Sequence, residues 1–401
     1  MKHQKIGESA KNYTNECKEF LKDIISIRSV SCEEKEVVQR ISEEMKKVGF
    51  DEIKIDGLGN ILGRVGNGPT VIAMDSHIDT VDVGDPELWD HDPFDPVEKD
   101  GIIYGRGASD QKGGIAAMVY AAKIIKEQNL DKDCTVWMVG SVMEEDCDGL
   151  CWQYIIKEKV INPEVVVLTE PTNLNLYRGH RGRMEIEVET KGISCHGSDP
   201  TRGDNAVTKM APVITQIDQL NKDLKPTEFL GKGTVAISHI RSTSPSLCAV
   251  ADSCTIHLDR RLTEGEDETV AVNQLKELPG VKNSGARIKV LDYAAKAYTG
   301  LVYPTKKFYP TWTLGEEHMA VQAGKAAADD ILQREVIIDK WVFSTNGVAT
   351  AGMFNIPTIG FGPANEIYAH SVADQIPIEH LEKAIGFYAA FVAEYMEAKN
   401  K

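Results

Sequence analysis

Two histidines and four carboxylates stand at, or just past, the ends of apolar runs spread along this chain. They are His77 in VIAMDSHIDT, Asp110 in YGRGASDQKGG, the pair Glu144 and Glu145 in VWMVGSVMEED, Glu170 in VVVLTEP, and His370 in the segment after TIGFGP. Imidazole nitrogen and carboxylate oxygen together suit zinc, cobalt or manganese. Two ions sharing one carboxylate would explain why so many acids gather in one place. This is the chemistry of a two-metal hydrolase.

Such a site needs a scaffold that brings distant segments together. Short apolar runs bounded by turn residues read as buried parallel strands, here near 71–74, 134–142, 165–168 and 357–361. In open α/β sheets the ligand site lies beyond the carboxyl ends of the strands, where loops converge. Further strands are expected at 52–55, 61–65 and 335–339, with GLGNILG between the first two as a hairpin turn. Residues 11–48 show helical periodicity in two segments, the second capped by Ser29 or Ser31 and stopped by Gly49. More helices are expected at 112–129, 148–159, 314–328 and 377–398. The alternation of strand and helix predicts an α/β sandwich.

Near residue 183 the pattern changes. RMEIEVETKG alternates Met184, Ile186 and Val188 with Glu185, Glu187 and Glu189, a strand with one wet face. A helix at 205–220, strands at 233–240 and 250–260, a helix at 266–277 and a strand at 287–293 follow. The order β-α-β-β-α-β is ferredoxin-like α+β. Residues 183–297 are therefore read as a domain inserted into a catalytic domain made of 1–182 and 298–401. The joints YRGHRGR and AAKAYTG are polar and carry glycine, as hinges do.

A chain of 401 residues exceeds one ordinary core, which agrees with two domains. The net charge of −16 argues against nucleic acid and anionic membranes as partners. No apolar run approaches a bilayer span, and the first residues lack the apolar core of a signal peptide, so a cytoplasmic location is expected. Eight cysteines then read as reduced thiols, with Cys147 and Cys151 packed on one helix face. Cys195 beside His196 is no nucleophilic dyad, because sequence neighbours seldom point at each other.

HIDT, WDHDPFDPVEKDGIIYGRGASDQKGG, the pair EE, TEPT and CHGSDPTRGDNA, in that order, resemble the M20 metallopeptidase family over nearly the whole chain. Within that family the sequence looks most like a branch of selenium-metabolism or purine-catabolism hydrolases. The resemblance implies a zinc-exopeptidase-like α/β sandwich with an inserted lid and dimerisation domain. It also implies two divalent ions, zinc first, with cobalt or manganese as alternatives.

The resemblance carries over residue by residue. His77, Asp110, Glu145, Glu170 and His370 would be the metal ligands, with Asp110 bridging the two ions and joined to Gln111 by a cis peptide. Read without it, Asp110 is an N-terminal helix cap. Asp79 would accept the second N–H of the His77 ring and fix its tautomer. Glu144, unliganded, would carry protons between water and the leaving nitrogen. His196 would reach the neighbouring subunit's site in a homodimer and stabilise the oxyanion, while Asn205 and Arg261 would hold a substrate carboxylate or transition-state oxygen. Two positions depart from the family pattern: Asp374 where a glutamate is usual, and Asn346 where an aspartate is frequent. Asn346 is read as part of an altered substrate pocket.

The leading reaction is hydrolysis of an amide bond in an N-acyl amino acid or short peptide. An N-carbamoyl or ureido amino acid is the runner-up and needs a more polar acyl pocket. A non-catalytic metal-containing binding module is the alternative of another class. Retention of Glu144, which no ligand role demands, argues against it.

Overall fold

A computed structural model describes residues 2–401. Four parallel strands, Cys134–Ser141, Thr70–His77, Val165–Leu168 and Thr358–Gly360, lie side by side in that order within a nine-stranded sheet. Three of them are buried along their whole length, as unbroken apolar runs require. Register places His77 opposite Ser141, Asp75 opposite Leu168, and Leu168 opposite Gly360. The chain therefore leaves all four strands along one edge, and the segments bearing His77, Glu144, Glu145, Glu170 and His370 begin there.

Most pairings at the flanks of this sheet are antiparallel, Ile338–Trp341 with Leu176–His180 being parallel, so the sheet is mixed. On one side the hairpin Glu52–Ile55/Ile61–Gly66 pairs with Cys134–Ser141. Asp56 closes its turn by accepting the N–H groups of Leu58, Gly59 and Asn60, as GLGNILG predicts. On the other side Leu176–His180 runs antiparallel to Thr358–Gly360 and carries Trp312–Thr313 and Ile338–Trp341. Helices Gln4–Ile25, Gly113–Glu127, Met319–Leu332 and Ile378–Lys399 pack on one another and share the large apolar core with the sheet. A small sheet of Val97–Lys99, Ile102–Tyr104 and Gln375–Pro377 escapes sequence reading, because three-residue strands show no period.

Gly49 ends helix Lys35–Val48 at φ +92°, as expected. Neither Ser29 nor Ser31 caps that helix. Their hydroxyls donate to the Ile78 carbonyl and to Asp79 Oδ2, at 2.9 and 2.7 Å, so they brace the His77 segment instead. Cys147 and Cys151 are both buried, but only Cys151 lies within helix Leu150–Lys157.

The second sheet is antiparallel, in the order Thr234–Thr243, Ser253–Leu262, Gly182–Lys191, Arg287–Val290. Its core contains Met184, Ile186 and Val188, the apolar half of the alternation, packed with Met210, Val213 and Ile217 of helix Ala206–Asp223. A fifth strand, Phe308–Tyr309, pairs with Met184 and Arg183, so the returning chain touches this sheet beyond residue 297. No helix among the described residues is long and apolar enough to cross a membrane.

Candidate metal centre

His77 ends its strand and is almost wholly buried. Its Nδ1 donates to the main-chain carbonyl of Asp79 at 2.9 Å, which leaves Nε2 free to face Asp110 Oδ1 at 2.9 Å. The tautomer is thus fixed by the Asp79 backbone, whose carboxylate stands farther off, at 3.6 Å. That carboxylate is occupied otherwise: it accepts from Ser31 and from the backbone N–H groups of Glu144 and Glu145.

Asp110 sits in the bend before helix Gly113–Glu127, and its peptide to Gln111 is cis. It does not cap the helix. Its two oxygens divide between the histidines, Oδ1 facing His77 and Oδ2 facing His370 Nε2 at 3.3 Å. His370 also meets Glu145 at 2.9 Å. Glu170 and Glu144 approach His77 Nε2 at 3.7 and 3.9 Å. Ligand atoms of His77, Asp110 and Glu145 lie within 4.8 Å of one another, as do those of His77, Glu144 and Glu170.

Asp374 holds this geometry from behind. Fully buried, it accepts from the N–H groups of Gly107 and Ser109, both at 2.7 Å, and pairs with Arg106. It ties the bend leading to Asp110 to the segment following His370.

The electrostatics are those of a carboxylate cluster short of positive charge. Burial pushes Glu144, Glu145 and Glu170 up, and neighbouring acids add to the effect. Burial would also raise Asp110, but hydrogen bonds from His370 and His77 hold it well below the usual range. Hydrogen bonds to Asp110 and Glu145 raise His370 to about 10. Glu144 Oε1 is buried without a hydrogen-bond partner among the described residues. Divalent cations would offset this excess of negative charge, and nitrogen and oxygen donors converging from several sides fit them.

The cluster opens into a cavity of about 270 Å³ whose other walls include Asp148, Arg183, Arg261, Phe343 and Ser344. Arg183 and Arg261 are opposite each other in the register of adjacent strands, so the inserted domain contributes two guanidinium groups to the cavity. Arg261 is paired in bidentate fashion with Asp259. Arg183 lies 3.2 Å from Asp148, which also accepts from Ser344 Oγ. Asp148, Arg183 and Ser344 escape sequence reading, since a charged residue on an alternating strand or loop looks like any solvated one.

The remaining expected residues fall outside the cavity walls. Asn346 is buried beneath it: Nδ2 donates to Asp75 Oδ2 at 2.8 Å and to Ser141 Oγ, while Oδ1 accepts from Gly149 N–H. It braces the strand ends rather than facing a ligand. Asn205 caps helix Ala206–Asp223 by accepting from Val207 and Thr208. His196 is exposed and bonded to Ser198 Oγ.

A sequence model described as "Peptidase family M20/M25/M40" matches residues 73–394. The chain is 49% identical over 391 residues to the Escherichia coli (strain K12) protein "Uncharacterized protein YgeY", a match covering 98% of this chain and 97% of that one. It is 24% identical over 411 residues to a Staphylococcus epidermidis (strain ATCC 12228 / FDA PCI 1200) protein named "Probable succinyl-diaminopimelate desuccinylase", covering 94% and 97%. Among solved structures it resembles the Bacillus subtilis YXEP protein, described as a dinuclear metal binding peptidase, with a TM-score of 0.72 at 14% identity over 97% of this chain and 99% of that one. None of these matches confirms the selenium-metabolism or purine-catabolism branch.

Proposed function

The chain belongs to peptidase family M20/M25/M40, a family of hydrolytic enzymes, and on that footing we propose that it cleaves the amide bond of an N-acyl amino acid or short peptide with two divalent ions. The observation that carries this reading is the division of Asp110 between His77 and His370, one oxygen facing each, which would suit a carboxylate shared by two ions. His77 and Glu170 would hold one ion and His370 and Glu145 the other, with zinc first and cobalt or manganese as alternatives. When bound, such ions polarise a carbonyl and acidify water.

The rest falls to the chain itself. Glu144, raised by burial and with Oε1 free of partners among the described residues, would take a proton and pass it to the leaving nitrogen. Asp79 would fix the backbone of Glu144 and Glu145 through their N–H groups. Arg261 would meet a substrate carboxylate at the cavity wall. His196 lies outside the walls of its own chain's cavity, which supports its service to a second copy in a homodimer formed through the inserted domain. Asn205, whose side-chain oxygen caps its helix, would hold a substrate carboxylate or transition-state oxygen there through Nδ2.

The polar wall of Asp148, Arg183 and Ser344 favours a second reading, an N-carbamoyl or ureido amino acid, whose terminal group both donates and accepts hydrogen bonds. Turnover of N-acetyl, N-succinyl and N-carbamoyl amino acids and of dipeptides, each with zinc, cobalt or manganese restored, separates the readings. Failure on every substrate with both metals bound would sink them together.

A further inference from the structure

We infer that Glu34 and Asn60 are positioning residues that set Glu144 and Glu145 in place, so that side chains shape this turn. The strand Cys134–Ser141 ends immediately before it. Four consecutive backbone N–H groups then donate to side-chain oxygens from three separate parts of the chain. Val142 donates to Asn60 Oδ1 at 3.0 Å and Met143 to Glu34 Oε1 at 3.0 Å. Glu144 and Glu145 donate to the two oxygens of Asp79 at 3.2 and 3.1 Å. Met143 is held at φ +61°, a conformation that a long side chain adopts only when its surroundings enforce it.

Both residues are built for this purpose. Asn60 is fully buried, and its own N–H and Nδ2 donate to Asp56, which aims Oδ1 at Val142. The hairpin turn GLGN thereby gains a role at the site across the strand pair. Glu34 precedes helix Lys35–Val48 without capping it by its side chain. Its Oε1 accepts from the backbone N–H groups of Cys32 and Met143, while its Oε2 is buried with no hydrogen-bond partner among the described residues. A buried carboxyl oxygen left without a partner is unfavourable, so the gain must come through the other oxygen. Release of the Met143 amide would let the turn rotate and carry Glu144 and Glu145 away from Asp110 and the histidines, with the apolar strands unchanged.

The inference rests on the roles proposed for Glu144 and Glu145, and its first test does not need turnover. The full chain is freed of metal and titrated with Co²⁺, followed by visible absorption. Glu34→Ala is expected to weaken the second Co²⁺ about tenfold or more and to alter its absorption bands, the scale for removing support from a metal ligand. Glu34→Gln keeps an acceptor in place and is expected to stay within about threefold of the unmodified protein. Asn60→Ala should err in the same direction as Glu34→Ala, and it carries the test alone should Glu34→Ala fail to fold by circular dichroism. On any substrate turned over, kcat should fall in both alanine variants while KM moves less than about threefold. Unchanged Co²⁺ binding in the alanine variants, or equal losses in Glu34→Gln and Glu34→Ala, overturns the inference. Lack of turnover by the unmodified protein would count against the proposed reaction alone, since the Co²⁺ titration still decides the positioning role.

Discussion

The ends of the parallel strands and the loop after the first strand of the inserted domain both carry residues with catalytic potential, yet they behave differently. At the strand ends, six side chains from five segments meet within hydrogen-bond or metal-ligand reach. In the inserted domain, His196 and Asn205 turn to local partners, Ser198 and the start of a helix. Register explains the contrast. A strand end is fixed by its neighbours along the sheet, whereas a loop of the inserted domain is fixed only within its own domain. Arg183 and Arg261 stand between these cases, because they sit on lid strands at the joint and reach the cavity of their own chain.

The comparison breaks most sharply at Glu144. Glu144→Gln is expected to lower kcat about 10²–10⁴-fold with metal content unchanged, as measured by turnover and elemental analysis. Near-normal rates would remove the strand-end base from the mechanism. On the lid side, His196→Ala should lower turnover about 10²–10³-fold, again with metal retained. Mixing it with Glu144→Gln after verified subunit exchange should restore part of the activity, because one site per hybrid dimer would be intact. A fully active monomer would place His196 outside the reaction.

Arg183→Met tests the intermediate position. It should raise KM about ten- to hundredfold and change kcat less, the scale for losing a hydrogen bond to a charged group. An unchanged KM across the substrate panel would reduce Arg183 to a partner of Asp148.

The smallest effect concerns the joint itself. His180 is fully buried; Nδ1 donates to the Arg181 carbonyl, and Nε2 accepts from Trp312 Nε1 and from Thr345. Burial lowers it to about 4, so the folded state binds fewer protons than the unfolded one. Its contribution to stability is therefore present above the unfolded value, near 6.5, and is lost as pH falls towards about 4. The loss is on the order of 3 kcal/mol. Urea unfolding at pH 7 and 4.5 should show this slope in the unmodified protein and a flatter one in His180→Asn. Equal slopes would refute it.

The sequence by itself determined the apolar runs, their order and the residues placed at their ends, because burial of a strand and the turn after it are local properties. The switch at residue 183 to strict alternation was legible for the same reason, and its apolar half forms the second core. What only the tertiary structure decided is how side chains spend their polar atoms. Ser31 could cap a helix or brace Asp79, and the choice depends on a partner 48 residues away. Asn346 could face substrate or hold Asp75, and a separation of 271 residues in the chain hides the answer. Asp79 was legible as a partner of His77, but that its backbone takes the ring and its carboxylate takes the next turn is settled by geometry alone. Hydrogen bonds are short-ranged and directional, so they are assigned only once distant segments are packed side by side.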